Sequence, residues 1–191
     1  RKGEDAYAKA AATLPGRFQR VEIAHGGASF EAFVHVPPGD GPHPVFVHSN
    51  GSDLNKVSLL SYYEQHLLPK GLAYLTLDMP GMGGSIKYNM ADGISDKLHA
   101  AAISWAKEQS WADADNIFLQ GNSFGGHAAA RMYLARPELD LAGVAFVCGP
   151  LNKVFLAPPE VYAGLPAYTM DGVKTRLGLP LETTFEDLAE K

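Results

Sequence analysis

The stretch Gln120-Gly121-Asn122-Ser123-Phe124-Gly125-Gly126 holds a serine between two glycines in the spacing Gly-x-Ser-x-Gly. An apolar run, Ile117-Phe118-Leu119, precedes it, and an alanine-rich segment around Ala128, Ala129 and Ala130 follows. Strand, sharp turn and helix in that order push a serine hydroxyl out above a sheet, where it can attack a carbonyl. Side chains at 121 and 125 would collide where strand and helix nearly touch, which is why both positions are glycine. Gly126 and the alanines let the helix lie close on the sheet. Ser123 is therefore the expected nucleophile, and the flanking elements weigh against a merely structural turn serine.

Acyl transfer also needs donors for the developing oxyanion, a base, and an acid to orient the base. The backbone N–H of Phe124, first in the helix, is the expected first donor. The second should come from the loop Ser49-Asn50-Gly51-Ser52-Asp53, through the N–H of Ser52 or Gly51, the bland alternative being an ordinary tight turn. His48, at the end of the strand entering that loop, is a candidate substrate contact. The base is harder to find. The histidines are His25, His35, His43, His48, His66, His99 and His127, and none lies beyond the elbow helix, where the chain order Ser, acid, His requires one. His127 is four residues past Ser123 and reads as a packed or solvated helix residue. Asp78 reads as a turn carboxylate and Asp171 as surface. The acid and histidine are expected outside this chain, on roughly another hundred residues forming two further strand–helix units.

The elements that must position these groups follow from periodicity. Residues 4–13 read as a helix, 20–24 and 29–36 as a hairpin about His25-Gly26-Gly27, and 45–48 as a short buried strand. A helix is expected over 57–68, a strand over 72–77, and a helix over 94–109 with Ile94, Leu98, Ala101, Ala102 and Trp105 as its buried face. A last strand covers 141–148, placing Cys148 in core packing. Strands alternating with helices argue for right-handed βαβ units. The expected class is α/β with the α/β-hydrolase fold: a mostly parallel sheet, an antiparallel N-terminal hairpin, and a C-terminal side left incomplete. Three regions are expected, a helical extension over 1–20, the core over 21–150, and the start of a cap or lid over 151–191, where prolines break short helices.

With 46% hydrophobic and 19% charged residues, the chain has the composition of one soluble domain able to bury a core. A net charge of −5 with scattered basic residues argues against nucleic acid and anionic membrane surfaces. One cysteine excludes an internal disulfide and favours a reducing, cytoplasmic compartment. No apolar run reaches membrane-span length, and the N-terminus lacks a signal-peptide core. No His or carboxylate pair has ligand spacing, so neither metal nor cofactor is expected. Gly81-Met82-Gly83-Gly84 completes no nucleotide-binding pattern.

Several stretches are similar to the FrsA-like esterases: Phe30 to Val36, Pro37-Pro38-Gly39-Asp40-Gly41-Pro42-His43-Pro44, Asn50-Gly51-Ser52-Asp53, Leu77-Asp78-Met79-Pro80-Gly81-Met82-Gly83, and the tail from Pro159-Glu160-Val161-Tyr162 to Arg176-Leu177-Gly178. The resemblance runs from about residue 14 to 180. It implies a cytosolic, metal-free serine hydrolase with a helical extension and a cap, acting on a small-molecule ester. It also admits hydrolysis of a carbon–carbon bond beside a ketone, and a non-catalytic binding or regulatory protein on the same scaffold, as a homo-oligomer or with a protein partner.

Overall fold

The computed structural model describes residues 2–90, 95–151, 157–184 and 187. Strands β1 (Arg17–His25), β2 (Ala28–Val36), β3 (His43–Ser49), β4 (Ala73–Leu77), β5 (Ala112–Asn122) and β6 (Gly143–Val147) form one sheet in the order β1-β2-β4-β3-β5-β6. Gly26 and Gly27, at φ of 57° and 81°, close the β1–β2 hairpin, as left-handed turn positions favour glycine. β2 runs antiparallel to β4, and β4, β3, β5 and β6 are mutually parallel. The chain passes from β3 to β4 on one side and then returns to β5 on the other. That reversal opens a crevice beyond the carboxyl ends of β3 and β5, where open α/β sheets bind ligands.

Helices α1 (Lys2–Ala11), α2 (Leu60–Tyr62), α3 (Lys97–Lys107), α4 (Phe124–Ala135), α5 (Pro159–Ala163) and α6 (Ala167–Arg176) accompany the sheet. The main core gathers Phe30, Val34, Leu75, Leu77 and Leu119 from the strands with Leu98, Ile103 and Met132 from α3 and α4. The opposite side is filled by Tyr7 and Ala11 of α1 against Phe33, and by Tyr63 and Leu67 against Tyr74. Burying a side chain of the Leu or Phe size contributes about 1.5–3 kcal/mol, so a sheet covered on both faces is well anchored. Among the described residues no helix is long and apolar enough to cross a membrane.

Three local expectations change. The helix expected over 57–68 begins only at Leu60, then widens into a π-turn over Tyr63–Leu67 and tightens into a 3₁₀ turn over Leu68–Lys70. Pro69 lacks the N–H an α-helix needs there, and Gly71 at φ 71° ends the segment. The buried face of α3 is Leu98, His99, Ala102, Ile103 and Ala106, while Ala101 and Trp105 are half-buried. Ile94 lies outside the described residues. Cys148 is exposed rather than packed, at φ 53° just past the end of β6. β6 pairs only with β5 among the described residues, and Phe146 and Val147 are exposed with it.

Candidate active site

The parallel register of β3 and β5 sets Ser49 beside Gly121, so the loop 50–52 and the elbow leave the sheet side by side. Ser123 stands at φ 52°, ψ −121°, capping α4, in a region that non-glycine residues avoid. Its N–H donates to the Val147 carbonyl at 2.8 Å, and its own carbonyl accepts from the Gly126 N–H at 2.8 Å. The turn is thus held from β6 on one side and from α4 on the other. The glycines explain its tightness. A Cβ on Gly121 would drive into the Gly125 carbonyl, and one on Gly125 into the carbonyls of Ser49 and Asn50. A Cβ on Gly51 would stand 3.0 Å from the Cβ of Ser123, so the loop after β3 abuts the serine only because it carries glycine.

The groups expected around the serine are distributed as follows. Phe124 opens α4, where first-turn N–H groups have no intrahelical acceptor. Its ring stacks on His127 at 5.9 Å. Gly51 is buried and Ser52 half-buried in the loop beside Ser123. His48 is 1% exposed and lies beneath the elbow: Nδ1 is 3.1 Å from the Tyr74 hydroxyl and Nε2 is 3.2 Å from Nδ2 of Asn122. Burial pulls its pKa down to about 4, so the ring is neutral. Gln120 in turn donates to Asn122 at 3.1 Å, and the chain of contacts props the residue just before Ser123. His127 places Nδ1 3.2 Å from the Pro150 carbonyl, and burial lowers its pKa.

Asp78 is a turn carboxylate. Oδ1 accepts from the Lys56 N–H at 2.7 Å, and Oδ2 accepts from the Lys56 ammonium and the Gly84 N–H, both at 2.8 Å. Gly83, at φ 43°, leaves the space that carboxylate occupies. Lys56 also reaches Glu4 of α1 at 2.6 Å and Glu31 of β2 at 3.2 Å. Burial alone would depress its pKa, but Asp78, Glu4 and Glu31 outweigh it and the pKa rises. This network ties the segment after the 50–52 loop to the turn after β4. Opposite it, Asp96 bridges Arg131 at 3.3 Å and Arg136 at 3.0 Å, fastening α4 to the start of α3.

Arg176 belongs to this neighbourhood too, although its sequence context marks no site. It ends α6 and is 1% exposed, and its Nη2 donates to the Ser52 carbonyl at 2.7 Å and to the Met82 thioether. Its Cζ sits 5.7 Å from the centre of the Phe124 ring. Gly81, at φ 81°, has the Arg176 Cα where a Cβ would fall, which seats the end of α6 on the turn after β4. Burial lowers the guanidinium pKa to about 10. The signal was the Arg-Leu-Gly at the end of the tail, which reads in isolation as an ordinary basic helix terminus.

The chain has known relatives. The chain is 34% identical over 177 residues to Esterase FrsA of Salmonella typhi, a match covering 91% of this chain and 42% of that protein. It therefore spans less than half the length of the curated relatives it matches. A 2,6-dihydroxy-pseudo-oxynicotine hydrolase superposes with a TM-score of 0.75 at 26% identity, over 94% of this chain and 49% of the other. AbyA5 superposes with a TM-score of 0.77 at 22% identity, over 98% and 51% respectively, and so speaks to the fold alone. Together with the mixed sheet, these neighbours establish the α/β-hydrolase fold. The family model described as Esterase FrsA-like matches residues 2–189, and the chain belongs to that family.

Proposed function

We propose that this chain supplies the nucleophile, the oxyanion donors and the beginning of the cap of a serine hydrolase that cleaves small carboxylic esters. The observation that carries this reading is Ser123 held at φ 52°, ψ −121° between β5 and α4 by glycines that admit no side chain. Ser123 Oγ adds to the ester carbonyl, and the resulting oxyanion accepts hydrogen bonds from the Phe124 N–H and from the N–H of Ser52 or Gly51. Collapse expels the alcohol with a proton, and water releases the acid from the acyl-serine. The imidazole that accepts and returns that proton, with its carboxylate, comes from outside residues 1–191. His48 supports Asn122 from below and is a positioning residue in this scheme.

Hydrolysis of a carbon–carbon bond beside a ketone is the second reading. It is kept because the solved neighbour at 26% identity is a 2,6-dihydroxy-pseudo-oxynicotine hydrolase rather than an esterase by name. A non-catalytic role on the same scaffold is disfavoured by the intact elbow. The test is the full-length protein treated with a fluorophosphonate and assayed on p-nitrophenyl esters and on a β-diketone. A single adduct on Ser123, with at least a roughly thousandfold loss of ester turnover in Ser123→Ala, is expected. Retained turnover in Ser123→Ala would refute the assignment, and turnover of the diketone alone would select the second reading.

A further inference from the structure

Arg176 is buried against Ser52 and Phe124, two of the three candidate oxyanion donors. Among the described residues only Nη2 of its guanidinium has hydrogen-bond partners, and Nε and Nη1 are buried with none. Asp53 acts on it electrostatically, yet no carboxylate among the described residues bridges to it. A buried cation with unused donors is expensive unless an anion joins it. Gly172, one turn earlier on α6, leaves the Nη1 side of the guanidinium uncrowded, since a Cβ there would stand 3.3 Å from that nitrogen. A structural arginine would be expected to spend its donors on the protein, as Lys56 does on three carboxylates.

Resting on the hydrolase reading, we propose that Arg176 determines substrate specificity: its unused donors bind an ionised carboxyl group carried by the substrate, selecting esters that are also carboxylates. The cation sits beside the oxyanion donors, so this second group lies close to the scissile carbonyl. The cap helix thereby reports on the charge of the molecule being cleaved. A charge-assisted pair in so dry a place discriminates strongly against a neutral isostere.

The test uses the full-length protein and two matched ester pairs. One pair, p-nitrophenyl hemisuccinate and p-nitrophenyl pentanoate, carries the charge on the acyl side. The other, 4-acetoxybenzoate and its methyl ester, carries it on the leaving group. The wild type is expected to prefer the charged member of one pair by about 30-fold or more in kcat/KM. Arg176→Met should remove that preference, lowering kcat/KM for the charged member at least about tenfold more than for the neutral one, and Arg176→Lys should retain part of it. No preference in either pair overturns the proposal, as does an equal loss on charged and neutral members, which would make Arg176 a latch for Ser52. If Arg176→Met does not fold, the wild-type preference and Arg176→Lys still decide. If no ester is turned over, the hydrolase reading fails separately, and calorimetry with monomethyl glutarate takes over. Binding by the wild type that Arg176→Met loses supports the anion site; equal binding, or none, refutes it.

Discussion

Lys56 and Arg176 are both cations at 1% exposure, and they differ in what surrounds them. Lys56 meets Asp78, Glu4 and Glu31 within 3.2 Å and lies 4.9 Å from the Phe33 ring centre, and its pKa is raised despite burial. Arg176 meets a carbonyl, a thioether and a ring, and burial lowers its pKa. The first is neutralised by the protein and fastens α1, β2 and the turn after β4. The second is left with donors in hand beside Ser52 and Phe124. Completeness of pairing, more than burial, separates a cation that holds the fold from one able to recognise a ligand.

The largest effect should come from breaking the complete network. Lys56→Met leaves Asp78 buried without its ammonium, and a loss of about 3–5 kcal/mol is expected from urea unfolding. A loss below about 1 kcal/mol would mean that the carboxylates relax onto other donors. Next in size, taken one histidine at a time, is a pH effect from buried bases that carry no charge. His35, His48 and His99 are each held near a pKa of about 4 by burial. The unfolded imidazole titrates at 6.5, so between that pH and about 4 the unfolded state binds more protons. Stability is then full above pH 6.5 and falls on acidification, by up to roughly 3 kcal/mol per histidine. Glu4, whose pKa is lowered by its hydrogen bond from Lys56, adds a further loss only below about 4.5. Urea midpoints from pH 7 to 4.5 should show the histidine slope, and His35→Gln should reduce it by about a third; a midpoint rising on acidification would contradict it. The smallest effect belongs to the incomplete cation. Arg176→Met should stay within about 1 kcal/mol of the wild type, because the methionine forfeits one carbonyl bond but buries no charge. A drop comparable to that of Lys56→Met would erase the contrast.

Much of the scaffold was legible because its signals are local. Gly121, Gly125 and Gly126 announce a close strand–helix approach, and Gly26-Gly27 between alternating segments announces a hairpin. The elbow and the neighbouring 50–52 loop could be paired in advance because both end parallel strands. What escaped depends on distant partners. Arg176 meets Ser52 across 124 positions, and nothing in the polar, weakly patterned α6 hints at burial. His48 sits in a strand whose sequence cannot tell which face Tyr74 and Asn122 will occupy. Cys148 lies at the end of an apolar run, but its exposure follows from the place of β6 in the sheet, a tertiary fact. Pro69 did carry a signal, yet whether a helix ends there or widens into a π-turn is settled by Leu67 and Tyr63 packing on Tyr74.

The backbone at Ser123 has a consequence for anyone engineering this scaffold. A residue at φ 52°, ψ −121° adopts a conformation that glycine reaches freely and serine does not. Ser123→Gly would relieve strain on the order of 1–3 kcal/mol while giving back part of it through the looser unfolded chain. The fold is therefore expected to become firmer, by about 1 kcal/mol, when glycine replaces the serine. Selection of variants for thermal resistance alone would tend to discard Ser123, the proposed nucleophile, so any such campaign needs a screen for turnover beside the screen for melting.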